Sequence, residues 1–202
     1  VDLSSVSKQK LIKQISSNKD KVLSKLYANE ISEKQRRVLK SKNPTSLIRE
    51  KFGFEILFSS SYRIAKSSED FLWVRRDTEK GSVNFYISKI KNKKSLDINT
   101  IRDSISRKFI PGPTDKTHMS TDEGYIPKTK VFRLTESLKV IETRGIWEVK
   151  DQFMAGPFLN HIIAHRNNSE EFYILEGFVY SPGTTKRDYI FELEAIFKSI
   201  KF

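Results

Sequence analysis

The sequence predicts an α+β fold: an antiparallel β-sheet packed with helices and preceded by an N-terminal amphipathic helical segment. Three observations predict it. Segments with an apolar period of two come in runs, from Phe54 to Ile90 and from Lys128 to Tyr180. Helical stripes separate these runs instead of alternating with each strand, which argues against a parallel α/β sheet. Turn chemistry such as Asp77-Thr78-Glu79-Lys80-Gly81 joins consecutive strands directly.

Residues 7–42 read as helix, with a break expected near Ser16-Ser17-Asn18. Leu11, Ile15, Val22 and Leu26, then Leu23, Tyr27 and Ile31, recur at helical spacing between Lys, Arg and Ser. Such a stripe requires a cover: the following domain, another domain, or a second copy of the chain. Residues 1–43 are therefore read as the end of a further N-terminal domain, and residues 44–202 as the α+β domain. Asn43 suits an N-cap, Pro44 a first turn and Gly53 a C-terminal cap, so Pro44 to Phe52 is expected as a short separate helix.

Phe54 to Ser59 is expected as a strand, Ser59 to Lys66 as a loop or short strand, and Phe71 to Arg76 and Val83 to Ile90 as a hairpin. Lys91 to Lys94 reads as linker. Ile98, Ile101, Ile105 and Phe109 form the stripe of a helix capped by Asp97 or Asn99 and ended by Ile110-Pro111-Gly112-Pro113. Asp115 to Gly124 is expected as an exposed loop. Strands follow at Lys128 to Leu134, Lys139 to Lys150, Phe158 to Arg166 and Glu171 to Tyr180, with a tight turn at Asn167-Asn168-Ser169. A closing helix carries Ile190, Leu193, Phe197 and Ile200 on one face, with Thr185 and Asp188 as a capping box.

The stretch from Glu142 to Phe158 organises the rest. Ile141, Thr143, Gly145, Trp147 and Val149 alternate with Glu142, Arg144, Ile146 and Glu148, so one face enters a core and the other carries fixed charges. Gly156-Pro157 is expected to reverse the chain. The sheet, backed by the closing helix, is expected to hold Trp147 inward and Arg144 away from it.

The chain has 202 residues, 37% of them hydrophobic, and a net charge of +12. Residues 1–52 hold 13 Lys and Arg against 5 Asp and Glu, so the basic excess is concentrated there. A patch for nucleic acid or an anionic membrane is one reading of that excess. A solvated basic helix is the favoured one: Lys outnumbers Arg 25 to 12, whereas forked phosphate contacts favour Arg. No nucleic-acid partner is expected. The absence of Cys removes disulfides, thiol nucleophiles and thiolate metal sites. No apolar run approaches the roughly 18 residues of a membrane-spanning helix. The start at Val1-Asp2-Leu3 reads as that of a trimmed or mature fragment.

Several motifs occur in a familiar order: Lys80-Gly81-Ser82, Ile110-Pro111-Gly112-Pro113-Thr114, Glu142-Thr143-Arg144-Gly145, Trp147-Glu148-Val149-Lys150, Met154-Ala155-Gly156-Pro157-Phe158, Glu176-Gly177-Phe178-Val179-Tyr180, Lys186-Arg187-Asp188-Tyr189 and Glu192-Leu193-Glu194-Ala195-Ile196. Over residues 30–202 the chain resembles the C-terminal two-thirds of an uncharacterised lipoprotein family of Bacteroidetes-type bacteria, a domain of unknown function. The resemblance implies a cell-envelope protein, periplasmic or outer-membrane associated, held by a lipid anchor that lies outside this chain. It attaches no catalytic role to any residue. The order of elements also resembles a Mog1/PsbP-like sandwich, and fold does not fix function.

No phosphate loop, nucleophile elbow or zinc-protease motif is present. His161 and His165 are four apart, but on a strand such positions lie roughly 13 Å from each other, so no metal site is expected. No catalytic residue and no cofactor is expected. His118 reads as exposed, and the Gly-Pro pairs at 112–113 and 156–157 as turns. Glu176 is the informative residue. It lies in a strand apolar on both faces, where an unpaired carboxylate is strongly disfavoured. Arg144 is its expected partner, in an ion pair that locks register. The functional reading is an anion pocket built from Arg75, Arg144, Lys186 and Arg187, with Trp147 or Trp73 as a wall. The expected function is a non-catalytic module that binds a protein or an envelope polymer. The alternatives are an enzyme acting on an anionic envelope substrate at the Arg144 face, or a nucleic-acid binder using the basic helix.

Overall fold

The computed structural model describes residue 4 and residues 7–91, 97–136, 138–164 and 171–202. The expected turn at Asn167-Asn168-Ser169, His165 and most of the Lys91–Lys94 linker lie outside the described residues.

Helix α1 (Lys8–Leu39) runs without a break through Ser16-Ser17-Asn18, and Ser7 Oγ accepts from Lys10 N at its start. Helix α2 (Ser46–Phe52) ends at Gly53, whose left-handed φ of 74° closes it. Thr45, not Asn43, precedes its first turn. Asn43 Nδ2 instead donates to the carbonyls of Ser59 and Tyr62, each at 2.8 Å, tying down the segment after α2. That segment, Phe54 to Ser59, is no strand of the sheet. It is extended and pinned by the bridges Glu55–Lys201 and Lys42–Ser59.

Strands β1 (Arg63–Ser68), β2 (Phe71–Thr78) and β3 (Gly81–Lys91) form an antiparallel meander. Helix α3 (Ile98–Phe109) follows, with Asp97 accepting from Asn99 N and Thr100 N as its cap. The loop after it contains the two-residue strand β4 (Ser120–Thr121). Strands β5 (Lys128–Arg133), β6 (Lys139–Val149), β7 (Met154–Ala164) and β8 (Glu171–Tyr180) complete an eight-stranded antiparallel sheet. Its order is β1-β2-β3-β8-β7-β6-β4, with β5 also on β6, so β8 is central. Helix α4 (Arg187–Phe197) closes the chain; Lys186 precedes it and no side chain caps it, so the Thr185–Asp188 capping box does not form.

The Gly156-Pro157 pair lies inside β7, and the chain reverses earlier, at Lys150–Phe153. Pro157 pairs with Ile146, whose carbonyl is already taken by Asp122 N on the far side. The missing N–H of Pro157 therefore faces β8, where the ladder begins only at Phe158–Phe178. Gly156 is required by space: a Cβ there would lie 2.0 Å from the carbonyl oxygen of Val179.

Helices cover both faces. The α4 face holds the larger core, in which Leu193, Ile196 and Phe197 meet Phe85, Leu159, Leu175 and Val179, and α2 adds Ile48 and Phe52. Each such buried side chain contributes about 1.5–3 kcal/mol. The α3 face holds Phe71, Tyr86, Ile105, Trp147, Phe158, Ile174 and Phe178. Trp147 and Arg144 do lie on opposite faces. The assignment of the closing helix is corrected, however: α4 covers the face of Arg144, while Trp147 packs on the face of α3.

Only the second half of α1 is docked. Ile31 is its one buried residue, Gln35 Nε2 donates to Ala195 O at 2.9 Å, and Tyr27 meets Phe191 edge to face. Ile12, Ile15, Leu23 and Leu26 remain about half exposed.

Candidate functional site

On the α3 face, Glu176 of β8 sits between Tyr86 of β3 and Asn160 of β7. Its partner is Arg102 of α3. Arg102 Nε donates to Glu176 Oε2 at 2.6 Å and Nη2 to Oε1 at 2.7 Å, a bidentate pair with both side chains wholly buried. Asn160 Nδ2 donates to the same carboxylate at 2.9 Å. Arg102 Nη1 donates to Thr121 Oγ1, and Thr121 N and Oγ1 both donate to Asp103 Oδ1 at 2.9 Å. The guanidinium lies 3.5 Å above the Phe158 ring. That ring in turn fills the space a Cβ at Gly145 would occupy, 2.6 Å away. Burial alone would lower the Arg102 pKa; the Glu176 carboxylate outweighs it and holds the guanidinium charged. Burial, and then the neighbouring Glu176, push the Tyr86 phenol well above its ordinary range, and among the described residues its buried hydroxyl has no aligned hydrogen-bond partner. Arg102, Asn160 and Glu176 are inaccessible, so this part of the network fastens α3 to the sheet, while Thr121 and Asp103 at its outer end line a neighbouring hollow.

The expected Glu176–Arg144 pair is therefore corrected. Alternation along β6 puts Arg144 on the other face, paired in register with Leu159. There Arg144 Nε donates to Glu142 Oε1 and Nη2 reaches Glu194 Oε2, both at 2.7 Å. Lys130 Nζ is 3.0 Å from Glu142 Oε1, and His161 Nε2 is 3.0 Å from Oε2. Burial opposes ionisation of Glu142, but hydrogen bonds from His161 and Arg144 hold its carboxyl well below the usual range. Burial pushes the His161 imidazole down, against the opposing pull of Glu142. The neutral ring donates from Nε2 to Glu142, leaving Nδ1 buried without a partner among the described residues.

Beside the Arg102 network the α3 face opens into a cavity of about 300 Å³. Trp73, Trp147, Phe178 and Tyr180 wall it, Pro111, Gly112 and Pro113 rim it, and Arg75, Ser82 and Asn84 supply polar atoms. Trp73 Nε1 donates to Asn84 Oδ1 at 3.2 Å, and Asn84 Nδ2 to Ser82 Oγ at 2.9 Å. Trp147 stands edge to face with Phe178, centroids 6.0 Å apart. Its indole N–H is buried and unpartnered among the described residues. Arg75 Nε is bound to Asp77 at 2.6 Å, and its Nη groups have no partner among the described residues. Such an arrangement can stack a flat ring and offer it donors.

Of the residues singled out from sequence, the structure brings together Arg75, Trp73 and Trp147. It does not bring Arg144, Glu176, Lys186 or Arg187 to them. Lys186 Nζ donates to Thr184 O, and Arg187 lines a separate hollow between α1 and α4. Sequence reasoning missed Arg102, although Ile98, Ile101, Arg102, Ile105 and Phe109 all fall on one helical stripe. A charge on that stripe, facing a sheet with one central carboxylate, was the available signal. Among the described residues no group of three or more His, Asp or Glu side chains is placed to hold a metal ion. No described helix is long and apolar enough to cross a membrane.

A search of the curated proteins finds no match to the chain. Among solved structures, the human StarD13 (DLC2) lipid transfer and protein localization domain is similar over 68% of this chain and 88% of its own, at 7% identity and a TM-score of 0.32. A likeness at that level carries no argument. Residues 41–199 match the model of a family described as a domain of unknown function, DUF4837, and the chain belongs to that family.

Proposed function

We propose that this domain is a non-catalytic binding module of the cell envelope, and that its ligand, a protein segment or a unit of an envelope polymer, seats in the cavity between Trp73 and Trp147. One observation carries the reading. The only two tryptophans of the chain, far apart in sequence, wall one cavity that also holds Arg75. Aromatic walls with a few directed polar groups are the usual construction of a ligand pocket. The envelope setting rests on the resemblance to lipoproteins of Bacteroidetes-type bacteria, and membrane attachment in this reading is through a lipid anchor only. The reading includes no nucleic-acid partner and no reaction. The enzymatic alternative named Arg144 as the substrate-facing group, and that guanidinium is held by Glu142 and Glu194.

Tryptophan emission reports on this cavity without background, because both indoles line it. Titration with muropeptides, envelope polysaccharide fragments and short apolar peptides is expected to give a saturable shift with one class. Trp73→Ala is expected to weaken that binding about tenfold through loss of one stacking wall. Unchanged emission across all three classes, with acrylamide quenching of Trp73 also unchanged, would sink the proposal.

A further inference from the structure

Pro111 borders the aromatic cavity and also a second hollow of about 300 Å³ with opposite chemistry. Lys66 from β1, Arg107 and Lys108 from the last turn of α3, and Lys116 and His118 from the following loop line it. Among the described residues no carboxylate does. Among the described residues, none of these four Lys and Arg side chains forms an ion pair. Arg107, Lys116 and His118 also border a larger hollow where Asp103, Asp122, Glu123 and Asp151 stand. On the Pro111 side their charge is unanswered.

The loop that carries Lys116 is braced. Gly112 N donates to Thr117 O at 2.8 Å, Thr117 Oγ1 donates to Thr114 O at 2.6 Å, and Pro111 and His118 form a bridge. Lys116 takes a left-handed φ of 71°, third in the turn closed by Thr117 N and Thr114 O. Glycine would adopt that conformation with less strain. The position therefore holds a cation at a site where the backbone prefers none. Arg107 Nε donates to His118 Nε2 at 3.4 Å, which sets the guanidinium against the loop. The carbonyl end of α3 opposes an anion. Lys66 Nζ covers it by donating to Phe109 O at 3.3 Å.

We propose that this hollow binds a phosphate ester, with the phosphate among Lys66, Arg107 and Lys116 and the esterified group in the remaining volume. Converging cations without a carboxylate suit a group that carries nearly two negative charges and three acceptor oxygens. A hollow of this size exceeds a bare phosphate, which makes the ester the fitting form. The ester's source is either a soluble phosphorylated compound or a phospholipid headgroup.

The test is an amide-shift titration of the full chain with inorganic phosphate and with glycerol 3-phosphate, at ionic strength held constant with sodium chloride. Saturable shifts from Arg107 to His118 are expected, stronger for the ester. Lys116→Ala and Arg107→Ala are each expected to weaken binding about tenfold, the equivalent of one charge-assisted contact. Lys150→Ala, in the neighbouring hollow and paired with Glu123, leaves binding unchanged. Sedimentation with phosphatidylcholine vesicles, with and without phosphatidic acid as the lipid phosphate monoester, separates the sources. Loss of phosphatidic acid binding in both variants identifies a headgroup; binding of the soluble ester alone identifies a soluble compound. Phosphate shifts no larger than those of chloride, or binding that survives both substitutions, overturn the proposal.

Discussion

The two faces of the sheet are held by different physics. On the α4 face, Leu193, Ile196 and Phe197 interlock with Phe85, Leu175 and Val179, and charges join at two places beside that core: where Glu142, His161, Arg144 and Glu194 meet, and where Arg76 and Tyr62 meet Glu192. On the α3 face the apolar cluster is smaller, and a wholly buried Arg102–Glu176 pair lies at its centre. Apolar packing tolerates loss in proportion to the volume removed. A buried ion pair does not, because removing one member strands the other. The face with less apolar packing is also the one that opens into the aromatic cavity, so the site is built where α3 is held by a buried ion pair and a thinner apolar seam that includes the Phe71–Phe109 stack.

This contrast is broken most sharply at Arg102. Arg102→Ala leaves Glu176 buried and uncompensated, and we expect a loss of about 3–5 kcal/mol in urea unfolding. A loss below about 1 kcal/mol would mean that water or another cation reaches Glu176. Leu193→Ala, on the opposite face, is expected to lose about 2–4 kcal/mol by leaving a hole above Gly177. Its loss should be independent of pH and salt; a strong dependence on either would erase the distinction between the faces.

The margin of the α4 face supplies a dependence on pH. The native pKa of His161 lies below its unfolded value of 6.5, so the unfolded chain binds the extra proton first. Stability present at pH 7 and above is then lost as the pH falls through 6.5 towards the lower native value. Glu142, whose native carboxyl is depressed, contributes stability above its unfolded value of 4.5 that is lost as the pH falls further. Thermal unfolding is expected to show a midpoint that drops between pH 7.5 and 5.5, and His161→Gln to flatten that limb. A limb unchanged by His161→Gln would assign it elsewhere. The smallest effect is expected for Arg144→Ala. Its side chain is 38% exposed, and Glu142 keeps His161 and Lys130, so a loss of about 1 kcal/mol follows after solvent screening. A loss comparable to Arg102→Ala would give Arg144 a role the geometry lacks.

Much of the fold was legible because its signals are local. Period-two alternation placed β2, β3, β6 and β8, and a helical stripe with an Asp97 cap placed α3 within a residue. Gly156-Pro157 misled because its usual meaning is local while its cause here is tertiary: a carbonyl of β8 and the Trp147 indole crowd the strand. Phe54 to Ser59 misled in the opposite sense, since an apolar extended segment was taken into the sheet when it packs as cover. The candidate site was legible in part. That Glu176 needed a buried partner followed from its setting; Arg102 on the apolar stripe of α3 was a signal for that partner, but choosing it over Arg144 required knowing which helix covers which face. Trp73, Arg75 and Trp147 were named without any means of knowing that β2 and β6, separated by three strands, present them to one cavity.

The central claim is that one buried ion pair fastens α3 to the sheet and so holds the cavity's wall in place. The measurement that tests it most directly is a double-mutant cycle in urea with Arg102→Met, Glu176→Leu and both together. If the claim is right, each single substitution is severe and the double variant recovers most of the loss, because two apolar side chains strand no charge. Two modest losses that simply add would contradict it.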